Sequence, residues 1–239
     1  MSDSKAMLEK VCAAIDCLIG SGARFGGLIP SILDRQTGEM LTELPAAIPG
    51  QRDGDRSHLG SNLIHDEALL KTMYALSVTE SRPDFAAAAD RYLHRFATHC
   101  TDTPTGIFPW GEHAYWHLID DCVGNSYLLR DNSGNPPVTH DHLRQAPLWL
   151  WEKLYAIRPD CVYRFAEGLD GHWSEGEPSE IEEEYIRHAY IEEDRPYKRG
   201  SRSCDFPRHG GFYIFDWAFA YAKSSRTDFA DRIRRMLDY

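Results

Sequence analysis

Three stretches of the chain repeat one pattern of apolar and polar positions. In the first stretch, apolar residues recur every three or four positions from Leu69 to Leu76, after the sequence "GSN", which offers helix caps at Ser61 or Asn62. A Pro-Asp pair then opens a second run with the same spacing, and both residue types are typical of the first turn of a helix. The pattern therefore predicts a hairpin of two helices.

The same hairpin pattern returns in "LWLWEKLYAIRPDCVYRFAEGLDGHW" and in "GGFYIFDWAFAYAKSSRTDFADRIRRMLDY". A Tyr-Ala dipeptide precedes each break, so we expect equivalent ends of three first helices at Tyr74-Ala75, Tyr155-Ala156 and Tyr221-Ala222. Their spacing is irregular, which disfavours a solenoid of fixed period. An amphipathic segment at the start of the sequence predicts one further helix.

Long segments that carry glycine and proline precede the three hairpins, at residues 24–60, 101–142 and 174–211. Connections of this length inside a compact domain are usually functional. Because each segment enters a hairpin at the same point, a ring of hairpins would bring all three segments to one rim. We therefore expect the functional residues on these three insertions.

This arrangement resembles the (α/α) toroid of carbohydrate-active enzymes, in which inner and outer helices alternate around a cleft rimmed by long loops. The likeness is carried by "GLIPSILDRQTGEM" and "TGIFPWGEHAYWHLIDD", and the hairpins extend it over most of the chain. It implies an all-α fold in which residues 1–239 form a single domain. The sequence offers fewer hairpins than a closed toroid and stops within a helical pattern. We therefore expect an incomplete toroid, as in a truncated product or a portion of a longer protein.

Within that class the chain is most similar to the (α/α)-barrel pectate lyases. The resemblance implies β-elimination on a polymer that contains uronic acid, so the partner would be an acidic polysaccharide or oligosaccharide. It also implies one divalent metal ion, Mn or Ca, held by His and Glu beside an Arg. The residues to which the resemblance assigns catalysis are Glu112, His113, and the pairs Arg187-His188 and Arg208-His209.

The segment "GIFPWGEHAYWHLIDD" concentrates aromatic rings and titratable groups. We expect a helix from about Glu112. Residues three and four apart are neighbours on a helix, so one face would carry His113, His117 and one of the two aspartates. Glu112, His113 and His117 could then bind the metal or move a proton. The alternative is a solvated helix end whose histidines bond locally and whose aromatic residues belong to the core.

Other residues of the insertions suit the recognition of a sugar. Aromatic side chains offer stiff apolar faces with a polar edge, and the pair Gly210-Gly211 would let the backbone approach a ligand closely. The sequence "THDHLRQ" could supply ligands or a helix cap. The candidates for substrate binding are Trp110, Tyr115, Trp116, Tyr185, His142 and Arg144.

Three functions remain open from the residues alone. In elimination, Arg208 or Arg187 neutralises a uronate while a histidine or tyrosine assists proton removal. In an inverting glycoside hydrolase, a carboxylic acid and a carboxylate act across the scissile bond. The third function is a non-catalytic carbohydrate-binding helical scaffold. The surplus of His-Arg pairs favours elimination; the carboxylates available for hydrolysis are Glu112, Asp120, Asp121 and Asp205.

Composition narrows these alternatives slightly. The 26 basic and 37 acidic residues give a net charge of -11, which argues against nucleic-acid binding. An acidic polymer would need the basic residues concentrated in a cleft. The six cysteines lack metal-site spacing, so we expect reduced thiols. No apolar run is long enough for a membrane span or a signal peptide, so a cytoplasmic location is the default expectation.

Overall fold

Seven α-helices dominate the described part of the chain. The computed structural model describes residues 3–46, 48–50, 57–126, 140–173, 185, 188–191 and 207–238. The helices are α1 (Asp3–Gly22), α2 (Leu63–Thr79), α3 (Pro83–Arg95), α4 (Leu148–Ile157), α5 (Pro159–Gly168), α6 (Pro207–Ser224) and α7 (Thr227–Asp238). The protein is therefore mainly helical, as the sequence predicts.

The three predicted hairpins are confirmed as α2–α3, α4–α5 and α6–α7, and the predicted additional helix is α1. The Asn62 side chain accepts hydrogen bonds from the backbone N–H groups of Ile64 (3.1 Å) and His65 (3.3 Å), which caps α2. Proline lies in the first turn of α3 and of α5, where a helix needs no N–H donor. Among the helices described, none has the length and apolar character needed to cross a membrane.

The first helices of the hairpins, α2, α4 and α6, lie side by side. Trp149 of α4 packs edge-on against Tyr74 of α2, with ring centroids 6.3 Å apart. Phe219 of α6 packs in the same way against Tyr155 of α4, at 6.2 Å. The second helices α3 and α5 contact the next first helices, α4 and α6 respectively. The hairpins thus contact one another in chain order, as a row, and the closure of this row into a toroid stays a prediction.

The Tyr-Ala dipeptides occupy equivalent positions in this row. Lys153 of α4 lies over the Tyr74 ring, with Nζ 4.2 Å from its centroid, and Lys223 of α6 lies over the Tyr155 ring at 5.1 Å. Each lysine also forms an ion pair with a carboxylate of the preceding hairpin. The third tyrosine, Tyr221, is 42% exposed. A cation–π contact therefore repeats between successive hairpins.

The core between the hairpins is rich in aromatic residues, with Trp110 at its centre. The Trp110 ring stacks on Phe96 at 6.0 Å and meets Phe108, Trp151 and Phe165 edge-on at 4.9, 5.1 and 5.5 Å. Trp110 and Phe108 come from an insertion, whereas Trp151 and Phe165 come from α4 and α5. This cluster anchors the insertion to the hairpins.

Five short strands correct the all-α expectation. β1 (Gly60–Ser61), β2 (Ala114–His117) and β3 (Cys122–Asn125) form one antiparallel sheet in that order, and β4 (His140–His142) pairs with β5 (His188–Tyr190). The first sheet links the chain just before α2 to the second insertion. The second sheet links the second insertion to the third. The second insertion therefore contacts both the first and the third.

The helix predicted from Glu112 is wrong, because β2 occupies this segment and β3 runs back along it. Tyrosine, tryptophan and valine in the two strands favour a strand over a helix. Asp121 lies in the turn between them with a φ of +52°. The Tyr115 ring covers two glycines, since a Cβ on Gly60 would lie 2.1 Å from it and one on Gly124 would lie 2.6 Å away.

Candidate functional site

The start of α2 holds the part of the second insertion that carries the candidate residues Glu112 and His113. The Asn62 side-chain amide donates hydrogen bonds to the backbone carbonyls of Gly111 and Ala114, both at 3.1 Å. The same side chain caps α2, so one residue fixes the helix end and the segment together. Glu112 and His113 therefore lie at the N-terminal end of α2.

Glu112 and Arg144, which lie far apart in the sequence, form an ion pair. The distance from Arg144 Nη2 to Glu112 Oε1 is 3.4 Å. The Glu112 side chain is 14% exposed, whereas the Arg144 side chain is 50% exposed. The guanidinium therefore has donors available to an anion from solvent while the carboxylate stays sheltered.

The second sheet brings the histidine candidates of two insertions together at the level of the backbone. His142 of β4 is the direct partner of His188 of β5. The hydroxyl of Thr105 also donates a hydrogen bond to the carbonyl of Ile191, at 2.9 Å, just after β5. The second and third insertions are thus hydrogen-bonded to each other at two places. Arg187 and Asp205 lie outside the described residues.

Helix α6 begins at Pro207, so Arg208 and His209 both lie in its first turn. Arg208 is exposed and His209 is buried, with its ring packed edge-on against Phe212 at 5.6 Å. Gly210 and Gly211 both lie within this helix, and their close approach to a ligand stays a prediction. Of the pair Arg208 and His209, the arginine faces solvent and the histidine faces the core.

The aromatic candidates are all buried. Trp110 lies in the aromatic core, and Tyr115 and Trp116 belong to β2. Tyr185 packs edge-on against Trp173 at 4.6 Å, and its hydroxyl donates to the carbonyl of Leu169 at 3.0 Å. Their ring faces are covered by protein, which leaves them little area for stacking on a sugar.

The turn between β2 and β3 is held by its own contacts. Asp121 accepts two hydrogen bonds from Arg95 Nη2 (2.7 and 2.8 Å) and one from Trp116 Nε1 (2.8 Å), and it lies 2.9 Å from His99 Nε2. These contacts hold the pKa of Asp121 below its usual value, although desolvation opposes them. Asp121 is therefore an ionised structural carboxylate, which does not suit the donation of a proton.

The trio expected to bind a metal does not form a compact set. His113 and His117 are separated by most of β2, a distance of about 13 Å at the usual rise of a strand. Tyr115 lies between them, and the backbone N–H of Asp120 donates to His117 Nδ1 at 3.1 Å. The part of the chain described here holds no group of three His, Cys, Asp or Glu side chains with the spacing of a metal site. The metal ion stays a prediction.

Sequence reasoning missed a hydrogen-bonded cluster at the start of α2, formed by Ser61, Tyr92 and Asp66. The Tyr92 hydroxyl donates to Asp66 Oδ2 at 2.7 Å and lies 2.8 Å from Ser61 Oγ. Ser61 Oγ lies 3.4 Å from the same carboxylate oxygen. Burial raises the pKa of Asp66 to about 7, although both hydrogen bonds oppose this shift. Asp66 can therefore hold or release a proton near neutral pH.

A sequence signal for this cluster exists. Asp66 falls on the apolar stripe of α2, in register with the buried residues Leu63, Leu70 and Met73. An acid at a position of that stripe is buried by the helix itself and must find a polar partner. The partner, Tyr92, is on α3, and helical spacing alone does not identify it.

A scan against models of known protein families finds no match, and a search of curated proteins finds no significant relative of this chain. The function must therefore be argued from the site itself.

Proposed function

We propose that the protein degrades an acidic polysaccharide by β-elimination and that its site lies where the three insertions meet. The observation that carries this proposal is the ion pair between Glu112 and Arg144, which puts a half-exposed guanidinium beside a sheltered carboxylate. A guanidinium can bind a uronate carboxylate through two parallel hydrogen bonds. In a chain with a net charge of -11, such a cation is needed to hold an anionic polymer.

Elimination from a uronate requires a cation, a base and an acid. The cation neutralises the carboxylate, which lowers the pKa of the neighbouring C–H group, and the base removes that proton. The electron pair forms a carbon–carbon double bond as the bond to the glycosidic oxygen breaks, and an acid returns a proton to this oxygen. In this proposal the cation is Arg144, Arg208 or Arg187, and the base is His113 or His188, because His209 faces the core.

Asp66 supports hydrolysis as a second candidate function. A carboxyl group with a pKa of about 7 can protonate a leaving oxygen at neutral pH, and Glu112 could serve as the second carboxylate. Asp66 suits the role of acid better than Asp121, whose pKa is lowered. Both proposals place the reaction at the N-terminal end of α2.

The product distinguishes the two reactions. Elimination leaves a double bond conjugated to the carboxylate, which absorbs ultraviolet light, whereas hydrolysis yields reducing ends without this absorbance. Polygalacturonate, alginate, glucuronan and neutral glucans would be tested with and without a chelator. We expect ultraviolet absorbance on at least one acidic polymer. Reducing ends without absorbance would contradict elimination and support hydrolysis.

Variants then test the residues. Arg144→Ala should reduce the rate of elimination at least about tenfold, because the uronate loses its counter-charge. Arg234→Ala is the matched control, since Arg234 is an exposed arginine of α7 that pairs with Asp231. If hydrolysis is found instead, Asp66→Asn and Glu112→Gln should each abolish most of it. Sugar binding without either product would favour the carbohydrate-binding scaffold.

A further inference from the structure

Glu112 lies in a bend of the second insertion, outside the strands and helices of the fold. β2 begins only at Ala114, so the hydrogen-bond ladder of the sheet does not include Glu112. The Glu112 carboxylate nevertheless meets the Arg144 guanidinium at 3.4 Å. A group that acts on a substrate loses much of its effect when it is misplaced by about 1 Å. The bend therefore needs a support from another part of the chain.

This support is the side chain of Asn62, which is 1% exposed. Its amide nitrogen donates hydrogen bonds to the carbonyls of Gly111 and Ala114, both at 3.1 Å, so it holds the bend on either side of Glu112. Its amide oxygen accepts from two backbone N–H groups in the first turn of α2. One amide group therefore connects the bend to a helix end.

The hydrogen bonds of Asn62 use the whole capacity of its side chain. An amide has two N–H donors and one oxygen with two lone pairs, and all of them are engaged. Aspartate or serine would cap the helix about equally well. An aspartate, however, would place a negative oxygen against two carbonyls, and a serine has a single donor. The bend therefore requires an asparagine, whereas the helix cap does not.

We propose that Asn62 is a positioning residue of this site, which sets the place of the Glu112 carboxylate and, through it, the place of the Arg144 guanidinium that binds a uronate. Half of the Arg144 side chain is exposed, so the position of its guanidinium depends on the carboxylate that it meets. The identity of the ligand rests on the proposed function. The role of Asn62 rests on its own hydrogen bonds.

Asn62→Asp tests this role, because it keeps the helix cap and removes both donors to the bend. We expect the affinity for a galacturonate oligomer, measured by calorimetry, to fall at least about tenfold. Asn62→Ser, which caps the helix without a buried charge, is a second variant with the same expected direction. An affinity that is unchanged in both variants would overturn the proposal.

Thr103→Val is the matched control. Thr103 is 2% exposed and donates to the carbonyl of Ile107 at 2.8 Å, so this variant also removes a buried hydrogen bond within the second insertion. It does not touch the bend, and its affinity for the oligomer should stay close to that of the wild type. An equal fall in Thr103→Val and Asn62→Asp would show a general loosening of the insertion and would contradict a specific role of Asn62.

A double-mutant cycle separates positioning from stability. Arg144→Ala removes the guanidinium, so Asn62→Asp should cause no further loss of affinity in that background. A further loss as large as the loss in the wild type would show that Asn62 does not act through Arg144, and the proposal would fail.

Hydrogen exchange gives a readout that does not depend on a sugar. The Ser126 N–H donates to the carbonyl of His113, next to the bend, and the Asp66 N–H donates to the carbonyl of Asn62 within α2, both at 3.0 Å. Asn62→Asp should speed exchange at Ser126 at least about tenfold and leave exchange at Asp66 close to that of the wild type. Unchanged exchange at Ser126 would overturn the role of Asn62, whether or not the protein binds a uronate. Faster exchange in a protein that binds no uronate would refute the proposed function and leave Asn62 as the support of the bend.

Discussion

The carboxyl groups of Asp66 and Asp216 lie on the core-facing stripe of a first helix, α2 and α6 respectively, and differ in their partners. Asp66 is half-buried, whereas Asp216 is 6% exposed. Asp66 accepts a hydrogen bond from Tyr92 and lies near Ser61. Asp216 lies beside the Trp151 indole, and its Oδ1 has no hydrogen bond of ordinary geometry within the described residues. Burial raises the pKa of both.

The difference separates two uses of a buried acid. A buried carboxyl that is hydrogen-bonded by the protein stabilises the packing of its neighbours and can exchange a proton. A buried carboxyl with fewer hydrogen bonds destabilises the fold, because its desolvation is less well compensated. The cluster at Asp66 therefore suits the exchange of a proton, whereas Asp216 lowers the stability of the core around it.

The pH dependence of stability is the largest expected difference. The pKa of Asp66 rises from 3.8 to about 7 on folding, so the folded state binds the proton more tightly and the free energy of unfolding falls as pH rises from about 4 to 7. Asp66→Asn should remove about 4 kcal/mol of this fall, since one pKa unit corresponds to about 1.4 kcal/mol. Asp216→Asn should remove a fall of the same sign, because burial also raises the pKa of Asp216. Urea unfolding across pH 4 to 9 measures both, with Asp231→Asn as the control. Equal slopes in all variants would contradict the comparison.

Removal of the Tyr92 hydroxyl is the next largest effect. Tyr92→Phe leaves the ring in the core and takes away the hydrogen bond to Asp66, so we expect a loss of about 1–2 kcal/mol in the free energy of unfolding. Tyr163→Phe is the matched control, because its hydroxyl contacts Tyr155 in a half-buried place and should cost less than about 1 kcal/mol. Chemical denaturation at pH 6 measures both variants. An unchanged stability of Tyr92→Phe would mean that Asp66 does not depend on this bond.

Substitution of Asp216 should change the free energy of unfolding in the opposite direction. Asp216→Leu replaces an incompletely paired carboxyl by an apolar group of similar size, so the free energy of unfolding should rise by about 1 kcal/mol. A thermal melt of this variant beside Asp231→Asn measures the change. Destabilisation by more than about 1 kcal/mol would indicate that the protein already satisfies this carboxyl group.

The hairpins were predictable because their signals are local. Apolar residues every three or four positions, Asn62 as a cap, and proline in the first turns of α3 and α5 fix each helix within its own sequence. Two of the three Tyr-Ala dipeptides mark equivalent positions, since Tyr74 and Tyr155 each lie beneath a lysine of the next hairpin. They do not mark equivalent helix ends, because α2 and α4 continue for different lengths beyond them.

The sheets were not predictable in the same way, because they pair residues that are distant in the sequence. β1 meets β2 through Gly60 and His117, and a strand of four residues shows too short an alternation to stand out. The spacing of His113 and His117 fits a helix as well as a strand, so it does not distinguish the repeat of about 3.6 residues from the repeat of two. The burial of Trp110 depends on contacts from α4 and α5, which its place in a Gly-Pro loop does not reveal.

The ion pair of Glu112 and Arg144 extends the comparison to a carboxylate whose partner is exposed to solvent, where the smallest effect on stability is expected. Its atoms are 3.4 Å apart and half of the Arg144 side chain is exposed, so water screens the attraction. Arg144→Ala should therefore change the free energy of unfolding by less than about 0.5 kcal/mol, while the same substitution reduces elimination. Unfolding in urea at low and high salt, beside Arg234→Ala, measures this. A loss above 1 kcal/mol that persists in high salt would show that the pair is structural, like the cluster at Asp66, and would remove the main support for a uronate at this position.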